Sequence, residues 1–163
     1  MLAESFSGLS GKVAFLLTPG FEEGTAVFCL EQLRDAGLPV SLIGINDLPI
    51  SGLHGIKIEP DCTINEITDE APFHVIVLSG GNQTITSLLF DPRIDKLLKQ
   101  TIQANGHIVP IARTKELLED IGLLEYGEAP NIISQDETMT LLDFVDEIVR
   151  IASLEVNQPE YQH

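Results

Sequence analysis

The sequence predicts a single doubly wound α/β domain with a mostly parallel sheet, and three observations carry that expectation. Four short apolar runs, at Lys12–Thr18, Pro39–Gly44, Phe73–Ser79 and His107–Ile111, have the length of strands and the unbroken hydrophobicity of strands buried on both faces. Segments with apolar residues at helical spacing lie between them, the alternation expected of βαβ units. Glycine or proline punctuates the junctions.

Taken in order, Lys12-Val-Ala-Phe-Leu-Leu-Thr18 ends at Pro19-Gly20 and is placed as the first central strand. Glu22 to Ala36 is the first helix: Ala26, Val27, Leu30 and Leu33 recur at helical spacing, acidic residues occupy the first turn, and Gly37 stops it. Pro39 to Gly44 completes a βαβ unit, with parallel strands and a right-handed crossover. Between Ile45 and Asp61, Pro49, Gly52, Gly55 and Pro60 surround the strings LPI and IKI, which predicts a small hairpin or excursion at the sheet edge. Phe73 to Ser79 returns to a buried strand. Asn82 to Phe90 and Pro92 to Ala104 form one or two helices striped by Leu88, Leu89, Ile94, Leu97, Leu98 and Ile102. The strand through Ile108, Val109 and Ile111 runs straight into a helix holding Leu117, Leu118 and Ile121. A last strand is expected at Asn131–Ser134 and a last helix at Thr138–Leu154. Residues 1–11 are read as an N-terminal extension, 12–154 as the domain, and 155–163 as a frayed tail.

At 163 residues the chain is long enough for one sizeable core. Nine Lys and Arg against 25 Asp and Glu leave a net charge of −16, which repels phosphate backbones and anionic lipid. No nucleic-acid or membrane partner is therefore expected. The start, MLAESFSGLSGK, lacks the basic residues and long apolar stretch of a signal peptide, so a cytoplasmic protein is expected. Cys29 and Cys62 are too few and too far apart for a zinc site or a redox pair, and His54, His74, His107 and His163 have no ligand spacing. Neither a metal nor a cofactor is anticipated.

Ligands and reactive groups of α/β proteins gather at the carboxyl ends of the strands, and two junctions there hold the candidates. Gly80-Gly81-Asn82 follows the Phe73–Ser79 strand, where two glycines free backbone N–H groups to face a bound oxygen. The competing reading is a tight strand-to-helix turn. Ala112-Arg113-Thr114 follows the His107–Ile111 strand, and Ala112, at the bend, has no reactive side chain. Arg113 would offer a small anion or carbonyl ligand a bidentate contact; alternatively it pairs with Glu22, Glu23 or Glu116 at the surface.

Together KVAFLLTPGFEEGTAVF, LRDAGLPVSLIG, IKIEPD, HVIVLSGGN and HIVPIARTKELLEDIGLL, in this order over residues 12 to 124, resemble the ThiJ/PfpI family of the class I glutamine amidotransferase-like superfamily. The resemblance implies a flavodoxin-like three-layer α/β/α sandwich. It also implies a cysteine thiolate on a strained elbow as nucleophile, assisted by a glutamate from the first strand-helix junction and often by a histidine. In this chain the cysteine position falls on Ala112 and the glutamate position on Thr25. Pro110 and Thr114 stand where small residues let such an elbow close, and Thr114 suits an ordinary helix N-cap. The interval that would carry the histidine is reduced to Leu123–Pro130, which has none. The resemblance further implies a homodimer through the first helix and the edge excursion, where Phe21, Val27, Phe28 and Leu33 supply more apolar bulk than one buried face requires.

Other chemistries fare poorly. Cys29 falls mid-helix on or near the apolar face, Cys62 has acidic neighbours, and no histidine is placed to activate Ser79. The acidic pairs Glu22/Glu23 and Glu119/Asp120 are read as solvated helix faces. Two classes of function follow: a non-catalytic family member with a small-molecule-binding, regulatory or stress-related role, or an enzyme of that family (hydrolase, deglycase or glyoxalase type) working through an unrecognised site.

Overall fold

The computed structural model describes residues 12–67, 73–111, 132–133, 135 and 138–157. In chain order the elements are β1 (Val13–Leu17), α1 (Glu23–Asp35), β2 (Val40–Gly44), β3 (Ile50–Ser51), β4 (Lys57–Ile58), β5 (Cys62–Thr63), α2 (Ile64–Ile67), β6 (Val75–Ser79), α3 (Asn82–Leu89), α4 (Pro92–Gln103), β7 (His107–Pro110) and α5 (Leu141–Asn157). The main sheet has the order β5-β2-β1-β6-β7, every pairing parallel. This is the doubly wound α/β architecture expected from the sequence. Among the described residues no helix is long and apolar enough to cross a membrane.

The period of two along β1 explains the layers. Val13, Phe15 and Leu17 belong to one apolar cluster with Ala26, Cys29 and Leu33 of α1 and Phe144, Val145 and Ile148 of α5. Ala14 and Leu16 belong to a second, with Ile85 and Leu88 of α3 and Ile94, Leu97 and Leu98 of α4. Alternate side chains leave opposite faces of a strand, so helices must cover both sides. In register, Phe15 lies opposite Leu42 of β2 and Val77 of β6, which puts the largest β1 side chain mid-sheet.

Helix boundaries follow local chemistry. Asp91 caps α4 by accepting the N–H of Arg93 (2.9 Å), with Pro92 in the first turn, where its missing N–H costs nothing. Gly37, at φ +87°, ends α1, and the Leu38 N–H returns to the Leu33 carbonyl at 3.3 Å. The Thr140 hydroxyl accepts the Asp143 N–H (3.0 Å) at the start of α5.

Several details differ from expectation. The last strand amounts, among the described residues, to a bridge between Ile132 and Ile108, with the Ile133 N–H on the Ile108 carbonyl at 2.9 Å. The expected edge excursion is the antiparallel pair β3–β4, with Ile50 opposite Ile58. Of the apolar bulk assigned to the first helix, Phe21 precedes α1 and is fully buried, as is Leu33, while Phe28 packs partly against the core. Val27 alone of the four is exposed, at 42%. Leu53 and Ile56, on the β3–β4 loop, are more exposed than Val27, as are Leu48, Phe90 and Leu142 elsewhere.

Two glycines offer a paired test of this packing. Gly24 lies in α1 with nothing within 4 Å of a Cβ, whereas a Cβ on Gly52 would stand 2.5 Å from the Glu23 carboxylate. Gly24→Ala is expected to stabilise the fold by roughly 0.5–1 kcal/mol, and Gly52→Ala to destabilise it by about 1–3 kcal/mol, both measured by urea denaturation.

Candidate functional site

From β1 the chain winds outward through β2 and β5, then returns to the other side of β1 with β6 and β7. This reversal sets the carboxyl ends of β1 and β6 side by side, the place where open α/β sheets bind ligands. The two ends are sewn together. The Thr18 N–H donates to the Ser79 carbonyl and the Gly81 N–H to the Pro19 carbonyl, each at 3.0 Å. The Thr84 hydroxyl, from α3, also donates to the Pro19 carbonyl (2.6 Å) and lies 3.0 Å from Thr18 Oγ1, so the Thr18 hydroxyl is the donor between the two. A Cβ on Gly80 would fall 1.7 Å from Thr18 Oγ1, and one on Gly81 3.2 Å from the Pro19 carbonyl oxygen. Only glycine permits this approach.

The sequence-predicted ligand residues divide accordingly. Gly80 and Gly81 sit at the carboxyl edge, where the Gly81 N–H donates to the Pro19 carbonyl. At Gly81 the geometry is that of a tight strand-to-helix turn, with this residue as the N-cap of α3. Asn82 heads that helix. Ala112, Arg113 and Thr114 lie outside the described residues.

Thr25 stands in the first turn of α1 and its hydroxyl donates to the Glu22 carboxylate. Glu23 behaves differently from the solvated acid expected: it is 6% exposed. Its carboxylate accepts the His54 N–H (2.7 Å), the Ile56 N–H (3.2 Å) and a bond from His54 Nδ1 (2.9 Å). Burial alone would raise the Glu23 pKa, but the bonds from the His54 side chain and the backbone outweigh it and hold it at about 2. A carboxylate that acidic is a poor proton carrier near neutral pH. Its work is to fasten the β3–β4 hairpin to α1, helped by the Gly20 N–H on the Ser51 carbonyl and the Leu53 N–H on the Phe21 carbonyl, both 2.8 Å.

Cys29 is fully buried, and burial pushes its thiol up to about 12, as befits a core residue. Cys62 is half-buried on β5. Ser79 is buried within β6. Among the described residues no three His, Cys, Asp or Glu side chains gather to hold a metal. Beside the β1–β6 seam opens a cleft of about 470 Å³, between the loop after β2 and α3.

Two outcomes test these assignments. In a thiol-exchange assay on native protein, Cys62 should label and Cys29 should label only on unfolding; equal labelling would contradict the burial of Cys29. Because the folded pKa of Glu23 lies below its ordinary 4.5, its contribution is complete above about pH 4.5 and is lost as pH falls toward about 2. Exchange protection of the His54 and Ile56 amides, corrected for intrinsic rates, should decline across that window, and Glu23→Gln should lower it about tenfold at neutral pH.

Comparison with known proteins places this geometry. The family model for the DJ-1/PfpI family matches residues 11–152. A crystal structure of a DJ-1 superfamily protein from Salmonella typhimurium, a variant with alanine in place of a cysteine, aligns with a TM-score of 0.74 and 28% identity over 92% of this chain and 96% of that one. The oxidized DJ-1 of Toxoplasma gondii shares the fold, with a TM-score of 0.71 and 18% identity over 93% of this chain and 99% of the other. The Parkinson disease protein 7 homolog of Danio rerio is 28% identical over 105 residues, 63% of this chain. That match spans only 56% of the zebrafish protein. With its doubly wound sheet, its glycine-lined β1–β6 edge and a family match over nearly its whole length, the chain belongs to the DJ-1/PfpI family.

Proposed function

We propose that this chain is a non-catalytic DJ-1/PfpI-family protein, a cytoplasmic homodimer with a small-molecule-binding, regulatory or stress-related role. The observation that carries the proposal is the pair of residues at the positions the family resemblance makes reactive. Ala112 can neither attack a carbonyl nor be oxidised, and Thr25 presents a hydroxyl where a carboxylate is called for. A small anion or carbonyl ligand at this edge would be held by Arg113 rather than by Gly81, whose N–H is committed to Pro19.

The second reading, an enzyme of the same family using a different site, is favoured by one observation. The Glu22 carboxylate accepts from the Thr25 hydroxyl, bringing an acid close to the position at which the resemblance expects one. It still needs a nucleophile.

Assembly is supported by the exposed side chains of the docked elements. Val27 on α1 and Leu53 and Ile56 on the hairpin loop present apolar surface on two pieces that Glu23 and the backbone bonds hold together. A symmetric partner would cover it.

The purified protein is expected to show no glyoxalase, deglycase, esterase or peptidase turnover above background. Turnover abolished by Glu22→Gln would establish the second reading instead. Light scattering at micromolar concentration should give twice the chain mass, and Leu53→Glu with Ile56→Lys should shift it to the monomer. A monomer mass for the unmodified chain would refute the dimer.

A further inference from the structure

We propose that the cleft between the β2–β3 loop and α3 binds an uncharged small molecule with an apolar body and a carbonyl, amide or hydroxyl edge. Its volume of about 470 Å³ falls within the range of small-molecule sites, roughly 300–1,000 Å³. Its position is that of a ligand site as well: Leu17 and Pro19 reach it from the carboxyl end of β1, beside the strand-order reversal.

The lining defines the chemistry. One wall is aliphatic, from Ile45, Leu48 and Ile50, and the other is polar but uncharged, from Gln83 and Ser87 on α3, with Asn46 at the loop. Among the described residues no charged side chain lines the cleft, although Asp47 sits in the same loop. The Asn46 side-chain oxygen accepts the Leu48 N–H at 2.9 Å, which leaves its NH2 group as a donor. Thr84, by contrast, has given its hydroxyl to Pro19. The exposed side chains of Gln83 and Ser87 make no hydrogen bond within the described residues and can both donate and accept. Leu48 is 62% exposed, and an apolar ligand body would remove that surface from water. With a net charge of −16 and no cation in the lining among the described residues, an anionic ligand gains nothing from them. Thr25, Gly80 and Gly81 are not among its lining residues, so the inference does not depend on whether the Ala112 position is catalytically silent.

Backbone amide shifts in two-dimensional NMR, with benzamide as probe and benzoate as its charged counterpart, test the proposal. Benzamide at millimolar concentration should move the amides of Ile45, Leu48, Ile50, Gln83 and Ser87, and benzoate should bind at least about tenfold more weakly. Ser87→Trp, an exposed helix position, should fill the cleft and abolish the shifts. Leu48→Ser should weaken binding about fivefold. Circular dichroism of each variant verifies the fold. No benzamide shifts, shifts located elsewhere, equal binding of benzoate, or shifts unchanged in both folded variants would overturn the assignment.

Discussion

The contact between the carboxyl ends of β1 and β6 is the constraint on which the rest of the functional edge depends. Parallel strands leave N–H and C=O groups unpaired where they end, and those groups bind a ligand, bind water, or bind each other. Here they bind each other. Thr18 bonds Ser79, Gly81 bonds Pro19, and the Thr84 hydroxyl closes the seam from α3. Each such bond contributes about 0.5–1.5 kcal/mol net, and the close approach at Gly80 and Gly81 excludes any side chain. The seam orients the start of α3 and forms one end of the neutral cleft, while withdrawing the Gly81 donor from chemistry.

Glu23 imposes a second constraint a few residues away. A buried carboxylate is costly unless its oxygens are bonded, and here two backbone N–H groups and an imidazole supply the bonds. All of these donors come from the hairpin loop, so α1 and the hairpin move as one piece. Val27 on α1 and Leu53 and Ile56 on the hairpin loop are all exposed on these coupled pieces. The packing of Gly52 against the same carboxylate explains a glycine that the turn pattern alone did not require.

What the sequence made legible followed periodicity and punctuation. The unbroken apolar runs of β1, β2, β6 and β7 and the stripes of α3, α4 and α5 declared themselves because each spans enough residues to show a pattern. β5, at two residues, and α2, at four, have no period to detect. Glu23 was misjudged for a different reason. An acid in the first turn of a helix is ordinarily solvated, and its burial comes from a loop some thirty residues further along, a contact that local spacing does not encode. The same holds for Gly81, where a glycine pair is compatible with a nest or a turn until the position of Pro19 is known. The apolar cleft walls could not be read either, since Leu48 and Ser87 meet only through the fold.

Amide exchange at Gly81 in the presence and absence of acetate tests the central claim, that the carboxyl edge is satisfied by the protein's own bonds. The account predicts a protected amide whose exchange rate and chemical shift stay constant as acetate is added. An amide that exchanges at the rate of an unstructured chain, or one that moves on saturation with acetate, would contradict it and return Gly81 to the role of an oxygen-binding donor.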